Sequence, residues 1–116
     1  MPSDDFAAVA YRILRYIDAC QKDGATPDER QLAVDVAQVN YAYYASVMRS
    51  LADKGYVSGV RVEDYINGTT AILLDVPRIT IDGAEYMAEN SRMQKAAKAC
   101  GAAFECLVST LVPKLL

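Results

Sequence analysis

The stretch from Val39 to Tyr56 carries the start, the buried face and the stop of one helix, and it constrains the chain more than any other segment. Asn40 is a suitable N-cap, because its side-chain oxygen can accept one of the N–H groups that the first turn leaves without a partner. Val39 before it and Tyr44 after it are placed for a hydrophobic staple. Tyr44, Val47, Met48 and Leu51 recur at helical spacing and form one apolar stripe. Gly55 suits the left-handed position that closes a helix, and Tyr56-Val57 then begins a β-type run.

Upstream, Phe6, Val9, Ala10, Ile13, Leu14 and Ile17 keep helical spacing, with Arg12, Arg15, Asp18 and Lys22 off the stripe. Asp4 and Asp5 suit the positive end of that helix and Gly24 its close. A short second helix is expected over roughly 27–36. Thr26 would be its cap, Pro27 its first residue and Glu29 the partner in a capping box, with Leu32, Ala33 and Val36 facing inward. Ala37-Gln38-Val39 is then the turn of a helix-turn-helix, although no glycine occupies it.

Downstream, Val57, Val60 and Val62 alternate with Arg61 and Glu63 as in a half-exposed strand. Asn67-Gly68 is the two-residue signature of a hairpin turn. Thr69 to Val76 returns as the second strand, with Pro77 at its end or edge. The run Ile72-Leu73-Leu74 leaves the register open. Ile79-Thr80-Ile81 reads as a short third strand, Asp82 and Glu85 as the start of a helix. From Ser91 a last helix carries Met93, Ala96, Ala97, Cys100, Phe104, Leu107, Val108, Leu111 and Leu115 at three- and four-residue intervals. Gly101 within it permits close approach of a neighbour, and Pro113 limits regular helix to about residue 111 or 112.

A chain of 116 residues with 53% apolar content can bury one core. No apolar run approaches the roughly 18 residues of a membrane span. The acidic N-terminus lacks the basic flank of a signal peptide, so a cytoplasmic protein is expected. Histidine is absent, and Cys20, Cys100 and Cys106 are widely spaced and read as small buried apolar residues. With no phosphate loop, nucleophile elbow or ligand cluster, neither an enzyme nor a cofactor or metal site is expected.

These elements add up to an α+β fold. It is a winged helix-turn-helix of three helices and a two- to three-stranded wing over residues 1–90, followed by one or two C-terminal helices in 91–116. The helix end Leu51-x-x-Lys54-Gly55-Tyr56, the following Gly59-Val60 and the run Ile79-Thr80-Ile81-Asp82-Gly83-Ala84-Glu85-Tyr86-Met87-Ala88-Glu89-Asn90 are similar to those of the small bacterial and prophage-associated YjcQ-like winged-helix proteins. The resemblance implies that fold. It carries over no catalytic or binding residue.

Two functions fit the organising helix. With its stripe turned inward, Tyr41, Ala42, Ala45, Ser46, Arg49, Ser50 and Asp53 face outward, with Tyr43 at the boundary. Arg49 and Asn40 could read base edges, Ser46, Ser50, Tyr41 and Tyr43 could meet phosphates, and Arg61 could touch backbone from the wing, making the chain a transcriptional regulator of duplex DNA. The same tyrosines, small residues and arginine equally compose a hot spot for a host protein. A net charge of −3 makes any non-specific hold on nucleic acid weak. A homodimer is expected through Met93, Ala97, Cys100, Phe104, Leu107 and Leu111 of the last helix, whose apolar content exceeds what one contact surface needs.

Overall fold

The computed structural model describes residues 5–112. In chain order the elements are α1 (Phe6–Lys22), a π-helical turn at Gln31–Val36, α2 (Tyr41–Asp53), strands β1 (Val57–Asp64) and β2 (Thr70–Ile79), α3 (Ile81–Glu89) and α4 (Ser91–Leu111). The architecture is α+β, mostly helical, with one two-stranded antiparallel sheet. Asp4, Pro113 and Leu115, which entered the sequence reading, lie outside the described residues.

Helix α1 packs against the π-helical turn, α2, β2, α3 and α4, so it is buried on more than its apolar stripe. Arg12, expected on the outer side, is only 3% exposed. Its guanidinium donates to the backbone carbonyls of Val36 (3.1 Å) and Ala37 (2.7 Å), the oxygens that the end of the second helix leaves over. A cation is also favoured there by the helix dipole. Tyr16 on the same helix is fully buried and holds the other end of that short helix. Its hydroxyl donates to Gln31 Oε1 (2.9 Å) and accepts from the Asp28 N–H (3.0 Å). Burial pushes this phenol up to about 12.

Asp28, not Thr26, caps the second helix: its carboxylate accepts from the Gln31 N–H at 2.9 Å. Leu32 and Val36 point inward as the spacing predicts. In the turn Gln38 itself adopts φ 60°, the left-handed conformation that glycine commonly supplies. That conformation costs a residue with a Cβ about 1–2 kcal/mol, and Arg12 helps hold the backbone in it from outside the turn.

Helix α2 starts and stops as the sequence indicates. Asn40 Oδ1 accepts from the Tyr43 N–H at 2.9 Å. Gly55, at φ 76°, closes the other end, with the Tyr56 N–H on the Leu51 carbonyl at 2.9 Å. Tyr44, Val47, Met48 and Leu51 are buried, and so is Ala45, which the sequence reading placed outside. The Tyr44 hydroxyl has no hydrogen-bond partner among the described residues. A buried hydroxyl without a partner loses its hydration and gains nothing back, so Tyr44→Phe should stabilise the fold by about 1 kcal/mol. A higher urea midpoint with unchanged slope is the expected reading, and a lower midpoint would show that the hydroxyl is satisfied.

The hairpin has a register that the sequence left open: Val57 pairs with Ile79, Ser58 with Arg78, Val60 with Leu74 and Asp64 with Thr70. Between Ser58 and Val60 the ladder is irregular, with Asp75, Val76 and Pro77 opposite the single residue Gly59. Pro77 therefore sits in a bulge and the strand continues past it, as proline in a sheet requires. A Cβ on Gly59 would lie 2.5 Å from the carbonyl oxygens of both Asp75 and Val76. The tip is a three-residue loop, not the expected two-residue one. The Tyr65 N–H reaches the Thr69 carbonyl and the Gly68 N–H the Tyr65 carbonyl, and only Gly68 takes a positive φ.

The expected third strand does not form. Ile79 belongs to β2, Thr80 caps α3 by accepting from the Gly83 N–H at 3.0 Å, and Ile81 is already helical. The Thr80 hydroxyl also donates to the Gly55 carbonyl at 2.6 Å, tying the start of α3 to the end of α2. Asn90 caps α4 through bonds from Arg92 and Met93. Within α4 the backbone breaks at Gly101 (φ 63°, ψ −162°). Nothing lies within 4 Å of a Cβ built there, so this glycine serves the break and not a close approach.

Helix α4 folds back on α1. The Tyr11 and Phe104 rings are 6.1 Å apart, and Arg15 clasps Glu105 with two bonds of 3.1 and 2.9 Å. Met93 and Phe104, expected within a dimer contact, are 0% and 6% exposed within the single chain. Ala97, Cys100, Leu107 and Leu111 are half-buried against the same core. The apolar stripe is thus used largely in cis, with Ala97, Cys100, Leu107 and Leu111 still half exposed. Of the cysteines only Cys20 is buried; Cys100 is half-buried and Cys106 exposed.

Candidate interaction face

Helix α2 and the hairpin tip face each other across a groove of about 240 Å³ lined by Tyr41, Ala42, Ala45, Ser46, Arg49, Gly68, Thr69 and Thr70. Two contacts fix the hairpin to the helix. The Tyr41 hydroxyl accepts the Ile72 N–H at 2.9 Å, its ring lying 5.5 Å from that of Tyr44. Arg49 forms an ion pair with Asp64, at the end of β1. Asp64 accepts a second bond from the Thr70 hydroxyl at 2.8 Å. The Thr70 bond, with Arg49 adding to it, holds the Asp64 carboxyl below its ordinary range.

The residues singled out from the sequence are only partly gathered by this groove. Tyr41, Ser46 and Arg49 line it. Asn40 is engaged in capping, Tyr43 is half-buried against the core, and Ser50 is half-buried outside the groove. Arg61 lies elsewhere on the hairpin, beside a separate hollow of about 390 Å³ with Gly59, Val60, Leu73, Leu74 and Asp75, and its Nε is 3.5 Å from Glu63.

Sequence reasoning missed the contribution of the tip. Ile66 is fully exposed at the turn and Tyr65 is half exposed. The Asn67 side-chain oxygen accepts from both the N–H (3.1 Å) and the hydroxyl (2.6 Å) of Thr69, which stiffens the loop behind them. The available signal was the run Glu63-Asp64-Tyr65-Ile66, two carboxylates and two apolar side chains just before an Asn-Gly turn, where polar residues are usual.

Among the described residues no group of three or more metal-binding side chains comes together, and no helix is long and apolar enough to cross a membrane. The fold and face define a small α+β domain that presents one helix and a hairpin side by side. The family model described as YjcQ protein matches residues 11–104, and the chain belongs to that family. No curated protein and no solved structure matches it.

Proposed function

We propose that the chain is a winged-helix interaction module whose α2–hairpin groove receives an apolar side chain of another protein. One observation carries this reading: the cation of the groove is neutralised within it, and the basic groups of the adjoining helix and hairpin are matched by acidic ones. Arg49 is held by Asp64, Arg61 lies against Glu63, and across residues 41–79 four basic side chains are matched by four acidic ones. Affinity for duplex DNA comes largely from phosphate contacts by uncompensated Lys and Arg. This face instead offers a tyrosine, an alanine floor, hydroxyls and one arginine, the composition of a protein hot spot.

Duplex DNA is the second reading, and a specific observation favours it. Two helices meet at a left-handed turn, and the second runs into a hairpin, which is the element order of modules that place a helix in the major groove. Ser46 and Arg49 would then address base edges and Arg61 the backbone.

The two are separated by parallel selections. One passes randomised duplexes over the protein at low salt; the other passes displayed random peptides. The expected outcome is no enriched duplex, and random duplex held no better than tens of micromolar at physiological salt, with about three phosphates neutralised per chain. Peptides presenting an aliphatic residue should be enriched, and Ser46→Arg, which narrows the groove, should weaken them at least tenfold. An enriched duplex whose binding drops in Arg49→Ala or Arg61→Ala would overturn the proposal in favour of DNA.

A further inference from the structure

We propose that α4 is a hinged arm: residues 102–112 fold back on α1 within one copy and, when the helix straightens at Gly101, dock on the α1 of a second copy. The hinge is Gly101, whose φ of 63° and ψ of −162° interrupt an otherwise helical run. That backbone region is essentially closed to residues with a Cβ, and glycine enters it at no steric cost. Ala99, Ala102 and Ala103 on either side are strong helix formers, so local preference runs toward one continuous helix. No neighbouring atom occupies the space of a Cβ at Gly101, so no contact at that point of the hinge enforces the break. The break is kept by what the arm touches beyond it.

Those contacts also say what takes the arm's place. Phe104 lies against Tyr11, and Val108 and Val112 are buried in the core. Arg15 grips both oxygens of Glu105, and the Tyr11 hydroxyl donates to the same carboxylate at 3.3 Å. Met93 and Ala96, both fully buried, anchor the half of α4 before the hinge. With that half fixed, a straight helix carries the arm along a different line, off Tyr11 and Arg15. The segment that fits the face so opened is the identical arm of another copy, because it brings the same ring, carboxylate and valines. Exchange of an identical element closes a two-fold dimer without any new surface having to be complementary. The inference does not depend on what the α2–hairpin groove receives.

Gly101→Ala tests the hinge. Alanine is disfavoured in the broken conformation and favoured in the helix, so by sedimentation the variant should dimerise about a hundredfold more tightly than the parent. Charge complementation then reads the exchange itself. In the Gly101→Ala background, Arg15→Glu and Glu105→Arg each place like charges at the clasp, and each variant alone should associate more weakly. Mixed in equal parts, they restore an opposite-charge pair at both exchanged contacts and should form a mixed dimer. Mixing mends no pair within one chain. The same two substitutions in the parent background, concentrated to about 1 mM to favour weak association, give the reading should Gly101→Ala not fold. A Gly101→Ala chain that stays folded and monomeric would overturn the inference. So would a mixture that associates no better than either variant alone, since any dimer then forms through another face.

Discussion

Replacing Arg12 by methionine is expected to lower stability by about 3 kcal/mol, a large share of the 5–15 kcal/mol typical of a domain. Methionine keeps the length and apolar character of the stem, so packing on α1 is largely preserved. What is lost are the charge-assisted bonds to Val36 and Ala37. Each such bond is worth about 1.5–3 kcal/mol, and a carbonyl left buried without a donor adds its own penalty. Arg12→Lys should recover less than half of the loss, because an ammonium cannot span two carbonyls in the planar fork of a guanidinium. Urea denaturation gives the magnitude, and amide exchange at residues 37–41 should rise first, since that turn loses its anchor. Equal midpoints for Arg12→Met and the parent would show that the turn holds itself.

The second large effect is expected at Gly83. An added Cβ would lie 2.1 Å from the Tyr56 carbonyl oxygen and 2.9 Å from its carbon. Both are backbone atoms, and that carbonyl already accepts the Thr80 N–H at 3.1 Å, so the oxygen cannot swing away without releasing the cap region of α3. Gly83→Ala should therefore cost about 3 kcal/mol, the upper end for overpacking. Gly55→Ala is the internal control. Its Cβ meets nothing within 4 Å although φ is 76°, so only the left-handed strain of about 1–2 kcal/mol applies. If the two variants unfold at the same denaturant concentration, the close crossing of α3 over Tyr56 is wrong.

Much of the fold was legible because the decisive signals are local. Asn40, Gly55 and Gly24 mark helix ends through bonds within a few residues, and each is found where the chain predicts it. The misreadings share a physical cause: side chains whose partners are distant in sequence. Arg12 looks like an outer-face charge until the carbonyls of Val36 and Ala37 are brought to it. Thr26 and Asp82 are plausible caps by spacing, yet Asp28 and Thr80 cap because Tyr16 and Gly55 fix the backbone there. The stripe of α4 is periodic whatever it meets, and periodicity alone does not show that Met93 and Phe104 are covered within one chain. The interaction face was half legible. Tyr41, Ser46 and Arg49 follow from helical phase alone, but the groove needs the hairpin register, which the unbroken Ile72-Leu73-Leu74 run concealed.

Tyr41 and Arg49 on the outer side of α2 hold the hairpin, but Ala42 and Ser46 between them carry almost no structural duty. Inward residues seat the helix, a guanidinium from α1 binds the backbone just before the turn that leads into it, and Asn40 and Gly55 define its ends. Ala42 and Ser46 on the open side are short and exposed, and support nothing behind them. On the proposed function, aim and recognition fall to different residues. If the groove binds as proposed, substitutions at 42 and 46 would change what it accepts without altering where it points.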